Sequence, residues 1–161
     1  MKIDVIETPR LLLRGFTKDD ALWAYGIWNN PEMNQYLPDE TKEEIDYEYL
    51  KQLEELGEDD ECCYLIPVLK DSMERVGTCS FIISEDGKTY DIAYCVHKSL
   101  WCQGYATEIA RGLIDYARRQ GAEKVTIFVS QENIASNRVA QKCGGKIVSE
   151  STYKKRGTDI I

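Results

Sequence analysis

The sequence is poor in histidine, and it lacks both Cys-x-x-Cys pairs and long apolar segments. It contains one histidine, His97, and its six cysteines include no Cys-x-x-Cys pair, so we expect no metal site. No charged leader followed by an apolar stretch opens the chain, and no apolar run approaches the roughly 18 residues of a membrane span. These absences predict a cytoplasmic protein with reduced thiols and no membrane partner.

Positive charge is also scarce, because 20 Lys and Arg stand against 28 Asp and Glu, for a formal net charge of -8. This excess of acidic side chains is distributed unevenly along the chain. Residues 29–61 carry 13 acidic and two basic side chains, whereas residues 97–161 carry 11 basic and six acidic ones. No basic stripe is dense enough for polyphosphate, which argues against nucleic acid as a partner. The basic part of the chain can still hold a small phosphorylated ligand.

The length and composition predict one globular domain over residues 1–161. The chain is 43% hydrophobic and 30% charged, values typical of globular proteins, and it shows neither internal repeats nor low-complexity linkers. Apolar runs and period-two alternation predict strands at 10–14, 63–69, 76–83, 89–96 and 125–129, with another from 146. Helical spacing predicts helices after Thr17 and Thr41 and over 106–117 and 136–143. The order of these elements indicates a mixed α+β domain with an antiparallel meander followed by a strand-helix-strand crossover.

The most informative stretch runs from a predicted strand at 89–96 through a loop into the helix at 106–117. Gly104 lies in the turn that opens this helix. A helix N-terminus leaves several backbone N–H groups unpaired within the positive end of the helix dipole. The turn is therefore a candidate anion cradle, with an ordinary strand-helix connection as the alternative.

The residues of this loop resemble a known family. Residues 101–106, WCQGYA, resemble the Arg/Gln-x-x-Gly-x-Gly/Ala signature of the GNAT acetyltransferases. The longer WCQGYATE segment resembles the branch that acetylates ribosomal-protein N-termini (RimJ/RimL-like), as do TPRLLLR at 8–14 and NIASNRV at 133–139. The resemblance runs from about residue 7 to residue 148. It implies a mostly antiparallel sheet of six to seven strands with a parallel, splayed pair at strands four and five and about four flanking helices.

The same resemblance implies acetyl-CoA as the co-substrate. Backbone amides of the loop would take the pyrophosphate, and strand-like backbone groups before it would hold the pantetheine. Asn133 would reach the pantetheine amide or the phosphates, whereas Arg138 and Lys142 are candidates for the adenosine phosphates or are simply solvated. The cofactor-binding set is Tyr94, Cys95, Val96, Trp101, Cys102, Gln103, Gly104, Tyr105, Ala106, Thr107, Asn133, Ser136, Arg138 and Lys142.

Two residues are candidates for the chemistry of acetyl transfer, which needs a base for the amine and an acid for the departing thiolate. Asp91 resembles the position of a catalytic glutamate in some family members; alternatively, it only ends a turn. The tyrosine that often serves as the acid falls at Ala140 here, so Ser136 becomes the candidate acid, with Cys143 second. Ser136 could instead be a helix N-cap, and solvent would then protonate the thiolate.

The acceptor implied by the resemblance is a primary amine on a protein N-terminus or a small molecule, acetylated by direct attack in a ternary complex. The acidic segment 29–61 falls where the fold is expected to form its acceptor groove, and it would attract a cation. A solvated helix face is the other interpretation. The alternative function is a non-catalytic acyl-CoA-binding or interaction module. A final unpaired strand would permit a homodimer.

Overall fold

The computed structural model describes residues 2–33, 46–129 and 132–145. Within them, six strands form one sheet in sequential order. The strands are β1 (Ile6–Glu7), β2 (Leu11–Gly15), β3 (Cys62–Leu69), β4 (Gly77–Ile83), β5 (Thr89–Val96) and β6 (Lys124–Ile127). The helices are α1 (Ala21–Trp28), α2 (Tyr47–Glu54), α3 (Tyr105–Arg119) and α4 (Ile134–Lys142).

The topology confirms the predicted meander and crossover. Strands β1 to β5 pair antiparallel to their neighbours, and β6 lies parallel to β5. A parallel pair needs a long connection, and α3 provides it. The parallel pairing ends at Ile92 and Ile127, while β5 continues to Val96. In the described part of the chain, the last residues of β5 therefore have no strand beside them on the β6 side, which is the splay that the resemblance implies.

The sheet has an apolar core on each face. One core packs the buried side of α3 against β2 to β5, and it includes Leu13, Phe81, Ile92 and Leu113. The other packs α1 and α2 against β3, and it includes Tyr25, Leu53 and Ile66. The alternation predicted within β5 is observed, because Ile92 and Val96 are buried whereas Asp91, Ala93 and Cys95 keep some exposure. The two faces of β5 thus carry different chemistry.

A buried ion cluster ties α1 to the sheet. The side chain of Asp20 has no solvent exposure and accepts hydrogen bonds from Arg14 (2.8 and 2.9 Å), Arg75 (2.8 Å) and the N–H of Thr17 (2.8 Å). Burial by itself would raise the pKa of Asp20, but the hydrogen bonds from Arg14, Thr17 and Arg75 together hold it below its usual range. The carboxylate therefore stays ionised in the folded protein.

Several element boundaries differ from the sequence prediction. The two-residue strand β1 was not predicted, because it is too short to show a period. Helix α3 begins at Tyr105, one residue before the predicted range, and α4 begins at Ile134 with Asn133 as its N-cap. The interpretation of Ser136 as an N-cap is therefore wrong. The capping box predicted at Thr41 and the strand predicted from 146 lie outside the described residues.

No helix in the described part of the chain is both long and apolar enough to cross a membrane.

Candidate functional site

The loop before α3 has the backbone shape of an anion cradle. Gly104 is the N-cap of α3 with φ of 82°, and Cys102 also has a positive φ, of 63°. The first N–H to bond back into the helix is that of Glu108, which donates to the Gly104 carbonyl at 3.0 Å. The N–H groups of the first turn therefore have no partner within the helix, and they lie at the positive end of its dipole. This arrangement favours a bound anion.

The side chain of Arg10, the residue directly before β2, supports this loop. The guanidinium of Arg10 donates to the Gln103 carbonyl at 3.0 Å and to the Glu108 carboxylate at 2.7 Å. It also lies 4.2 Å from the centre of the Tyr105 ring. The sequence does not predict this contact, because the partners of Arg10 are more than 90 residues away along the chain. A charged residue that precedes an apolar strand gives no signal of its distant partner.

The end of β5 next to the loop offers unpaired backbone groups. In an antiparallel pair, alternate residues direct their N–H and C=O groups to the partner strand. His97 donates its N–H to Val76, which places Cys95 among the residues that face β4 and leaves Tyr94 and Val96 facing the splayed side. The Val96 carbonyl already accepts a hydrogen bond from the Trp101 indole at 2.8 Å. Among the predicted strand ligands, Tyr94 and Val96 thus have the required direction and the backbone of Cys95 does not.

Helix α4 meets this edge through two hydroxyl groups. The Tyr94 phenol oxygen lies 3.0 Å from the Ser136 hydroxyl oxygen. Asn133 holds the start of α4 by accepting the N–H of Ser136 at 3.1 Å. Burial raises the pKa of Tyr94, and its contact with Ser136 offsets part of that shift. The phenol therefore stays protonated and can donate to or accept from Ser136.

Asp91 lies within β5, so it does not end a turn. Its carboxylate accepts a hydrogen bond from the Thr126 hydroxyl at 2.9 Å, directly across the parallel pair from it. Burial raises the pKa of Asp91 above its ordinary value, and the bond from Thr126 opposes that rise. A half-buried carboxylate with a raised pKa has the character of a general base.

The remaining candidate residues differ in their exposure and in what they contact. Cys102 is exposed in the loop, whereas burial raises the pKa of the Cys95 thiol to about 11, so this thiol is a poor nucleophile. The ring of His97 has a local role, since its Nδ1 accepts the N–H of Ser99 at 3.2 Å. Arg138 and Lys142 are exposed on α4, and no described side-chain contact joins either one to the loop.

The chain belongs to the GNAT acetyltransferase family, because the family model described as "Acetyltransferase (GNAT) domain" matches residues 10–146. A curated relative, described as the uncharacterized N-acetyltransferase p20 of Bacillus licheniformis, is 25% identical over 159 residues. The match spans 96% of this chain and 85% of the relative. The protein is therefore an acetyltransferase by family.

Solved structures show the same fold at low sequence identity. A GNAT-family acetyltransferase from Bacillus anthracis has a TM-score of 0.77 at 20% identity, covering 87% of this chain and 82% of that one. A spermidine N-acetyltransferase from Vibrio cholerae, solved with CoA and spermine, has a TM-score of 0.73 at 17% identity, covering 84% and 80%. An acetyltransferase from Salmonella typhimurium that modifies the N-terminal serine of ribosomal protein L7/L12 has a TM-score of 0.69 at 21% identity, covering 87% and 83%.

Proposed function

We propose that this protein transfers the acetyl group of acetyl-CoA to a primary amine by direct attack in a ternary complex. The observation that carries the proposal is the continuity of the unpaired end of β5 with the anion cradle before α3. Acetyl-CoA combines an extended, amide-containing arm with a pyrophosphate, and it needs these two kinds of site next to each other. The family membership supports the same donor.

The donor would bind mainly through the backbone. The amides from Gln103 to Thr107 would hold the pyrophosphate, and Tyr94 and Val96 would bind the pantetheine amides as a neighbouring strand would. Trp101, whose indole N–H donates to the Val96 carbonyl, would hold the loop in a fixed position relative to the strand. The exposed basic residues Arg138 and Lys142 remain candidates for the adenosine phosphates.

Asp91 is proposed as the base. A cationic acceptor first gives one proton to solvent and becomes a neutral amine. The neutral amine nitrogen then attacks the thioester carbonyl carbon, the C–S bond breaks, and the nitrogen loses one further proton. Because the Asp91 side chain is short, an ordered water would carry that proton to its carboxylate. Its raised pKa brings the carboxylate closer to the working pH, which improves it as a base so long as it stays ionised.

Ser136 is proposed as the acid that gives a proton to the departing thiolate of CoA. The hydroxyl is already oriented by Tyr94, and Asn133 fixes the helical turn that carries it. After the transfer, Ser136 would regain its proton from the Tyr94 phenol, which is replenished from solvent. In this proposal the contact between Tyr94 and Ser136 would compensate for Ala140, where the family often has a tyrosine.

The acceptor is proposed to be cationic, either a polyamine or a protein N-terminus. Acidic side chains dominate the segment 29–61, and its described part includes the exposed residues Glu48, Glu55 and Glu58. An acidic surface raises the local concentration of cations. The neighbouring folds include enzymes named for both acceptor classes, a spermidine acetyltransferase and one that modifies a ribosomal-protein N-terminus.

The decisive experiment measures release of CoA thiol from acetyl-CoA with a panel of acceptors. The panel contains spermidine, an aminoglycoside and a peptide with a free N-terminal serine, and the matched control is the same peptide already acetylated. We expect release with at least one free amine and none with the blocked peptide. Calorimetric binding of acetyl-CoA without turnover of any amine would instead indicate a non-catalytic acyl-CoA-binding module. Failure to bind acetyl-CoA at millimolar concentration would overturn the proposal.

A further inference from the structure

The ion pair between Arg10 and Glu108 lies directly at the proposed donor site. Two oxygens of Glu108 receive three hydrogen bonds from residues before β2. These come from the Arg10 guanidinium at 2.7 Å, the Arg10 N–H at 2.9 Å and the Thr8 hydroxyl at 2.5 Å. Glu108 lies in the first turns of α3, and its side chain is 11% exposed, whereas that of Arg10 is 45% exposed. The segment before β2 is thereby attached to the helix that opens at the cradle.

We infer that Arg10 is a positioning residue for donor binding, which holds the loop before α3 in shape and cancels the charge of Glu108 beside the phosphates. The inference rests on the proposed function, because it assumes that a CoA thioester is the ligand of the loop. Neither role requires Arg10 to touch the reacting atoms.

The guanidinium of Arg10 contacts the residues on both sides of Gly104, which supports a role in holding the loop in shape. One nitrogen binds the carbonyl of Gln103, which precedes Gly104, and the planar group lies over the ring of Tyr105, which follows it. A second nitrogen of the guanidinium lies 3.4 Å from where a Cβ would be on Gly104. In this loop Cys102, which is not a glycine, has a positive φ of 63°, a backbone conformation that needs support from its surroundings. Arg10 supplies that support on one side.

The carboxylate of Glu108 places a negative charge close to the proposed phosphate site. Burial would raise its pKa, but hydrogen bonds from Thr8 and Arg10 hold the pKa below its usual value, so the carboxylate is ionised. An ionised carboxylate in the first turns of α3 opposes the helix dipole's attraction for a pyrophosphate. The guanidinium of Arg10 neutralises this carboxylate and leaves the positive end of the helix available to the donor.

The test compares two acetyl donors, acetyl-CoA and S-acetylpantetheine, which lacks the pyrophosphate and the nucleotide. For Arg10→Ala we expect the dissociation constant of acetyl-CoA to rise about 10- to 100-fold, the loss typical of hydrogen bonds to charged groups. The kcat/KM for S-acetylpantetheine should stay within about twofold of wild type, because this donor does not use the cradle. Lys70→Ala is the matched control, since the Lys70 side chain forms an ion pair with Glu7 in β1 at 2.6 Å and no described contact joins that side chain to the loop.

Two further variants distinguish support of the loop from neutralisation of Glu108, and they show whether a loss of binding results from misfolding. Arg10→Lys keeps the charge but lacks the planar fork, so we expect an intermediate loss of acetyl-CoA affinity. Adding Glu108→Gln to Arg10→Ala removes the uncompensated carboxylate, and we expect it to recover part of the affinity. Unchanged acetyl-CoA affinity in both Arg10 variants would overturn the inference, and so would an equal loss of activity with both donors. If the wild-type protein binds no acetyl-CoA, the proposed function itself fails.

Discussion

The phenol oxygen of Tyr94 lies 3.0 Å from the hydroxyl oxygen of Ser136, and this contact joins the unpaired end of β5 to the first turn of α4. A hydroxyl held at a strand edge in this way is available to a ligand that binds along the strand. The pair supports an acid role for Ser136 in a chain that has Ala140 where the family often has a tyrosine.

Replacing Ser136 by Ala is therefore expected to lower kcat roughly 10- to 100-fold, at or below the lower limit of the range for general acid catalysis, because a thiolate is a good leaving group. The dissociation constant of acetyl-CoA should change little. Steady-state kinetics and calorimetry measure the two quantities separately. Ser136→Thr is the control, since it retains a hydroxyl and should retain most of the activity. A wild-type rate in Ser136→Ala would assign thiolate protonation to solvent.

Replacing Asp91 by Asn is expected to lower kcat/KM by about 100-fold or more, because an amide cannot accept the proton of the amine. The wild-type rate should fall as pH decreases through the raised pKa of Asp91, and this acid limb should be absent in the variant. A carboxyl group whose pKa is raised by folding contributes stability at low pH that is lost as pH increases. Asp91→Asn should therefore not lower the melting temperature at neutral pH, which separates a catalytic loss from unfolding.

Replacing Thr126 by Val tests the same group without removing it. The Thr126 hydroxyl donates to Asp91 at 2.9 Å and opposes the upward shift of its pKa. Without that hydrogen bond the pKa of Asp91 should rise further, so the acid limb of the pH-rate profile should move to higher pH. The rate at the alkaline plateau should remain near that of wild type. An acid limb that stays in place would show that another group titrates in the reaction.

Replacing Gly104 by Val is expected to abolish donor binding, because a branched side chain would be strained at a φ of 82° and would crowd the Arg10 guanidinium, which lies 3.4 Å from the position of an added Cβ. The control is Gly87→Val in the turn between β4 and β5. Gly87 has a similar φ of 74° and no atom within 4 Å of an added Cβ. Both variants carry comparable backbone strain, of order 1–3 kcal/mol, so both should lose stability. Calorimetry should show lost acetyl-CoA binding only for Gly104→Val, and tight binding by it would refute the cradle.

Replacing Asp20 by Asn should destabilise the fold by about 3–5 kcal/mol, the usual cost of removing one partner from a buried ion cluster. Arg14 and Arg75 would keep their charges without the carboxylate that binds both. Because folding lowers the pKa of Asp20, its stabilising contribution is present above the unfolded pKa and is lost as pH falls through the folded one. Urea unfolding at several pH values should show the difference between wild type and variant shrinking in acid. Asp86→Asn, in an exposed turn, is the control and should change the midpoint little.

The main elements and the family could be predicted from local patterns, because those patterns record which side of each element is buried. The alternation of Ile92, Tyr94 and Val96 with smaller or polar residues correctly indicated one apolar face of β5. Gly104 marked the turn before α3 because glycine readily adopts a positive φ. The short strand β1 and the exact starts of α3 and α4 were not predicted, since two residues show no period and caps depend on contacts with neighbouring turns.

The sequence points to several residues as candidates for the site, but it does not predict the contacts among them. The sequence by itself determined that one chain segment supplies both a strand edge and the turn proposed as an anion cradle, because these follow from β5, Gly104 and α3 in direct succession. Only the tertiary structure decided which distant side chains complete them. Arg10 reaches Glu108 and Tyr94 reaches Ser136 because the sheet and its crossover bring residues 98 and 42 positions apart into hydrogen-bond range. Spacing along the chain carries no record of such contacts, which depend on how the packed elements are placed relative to one another.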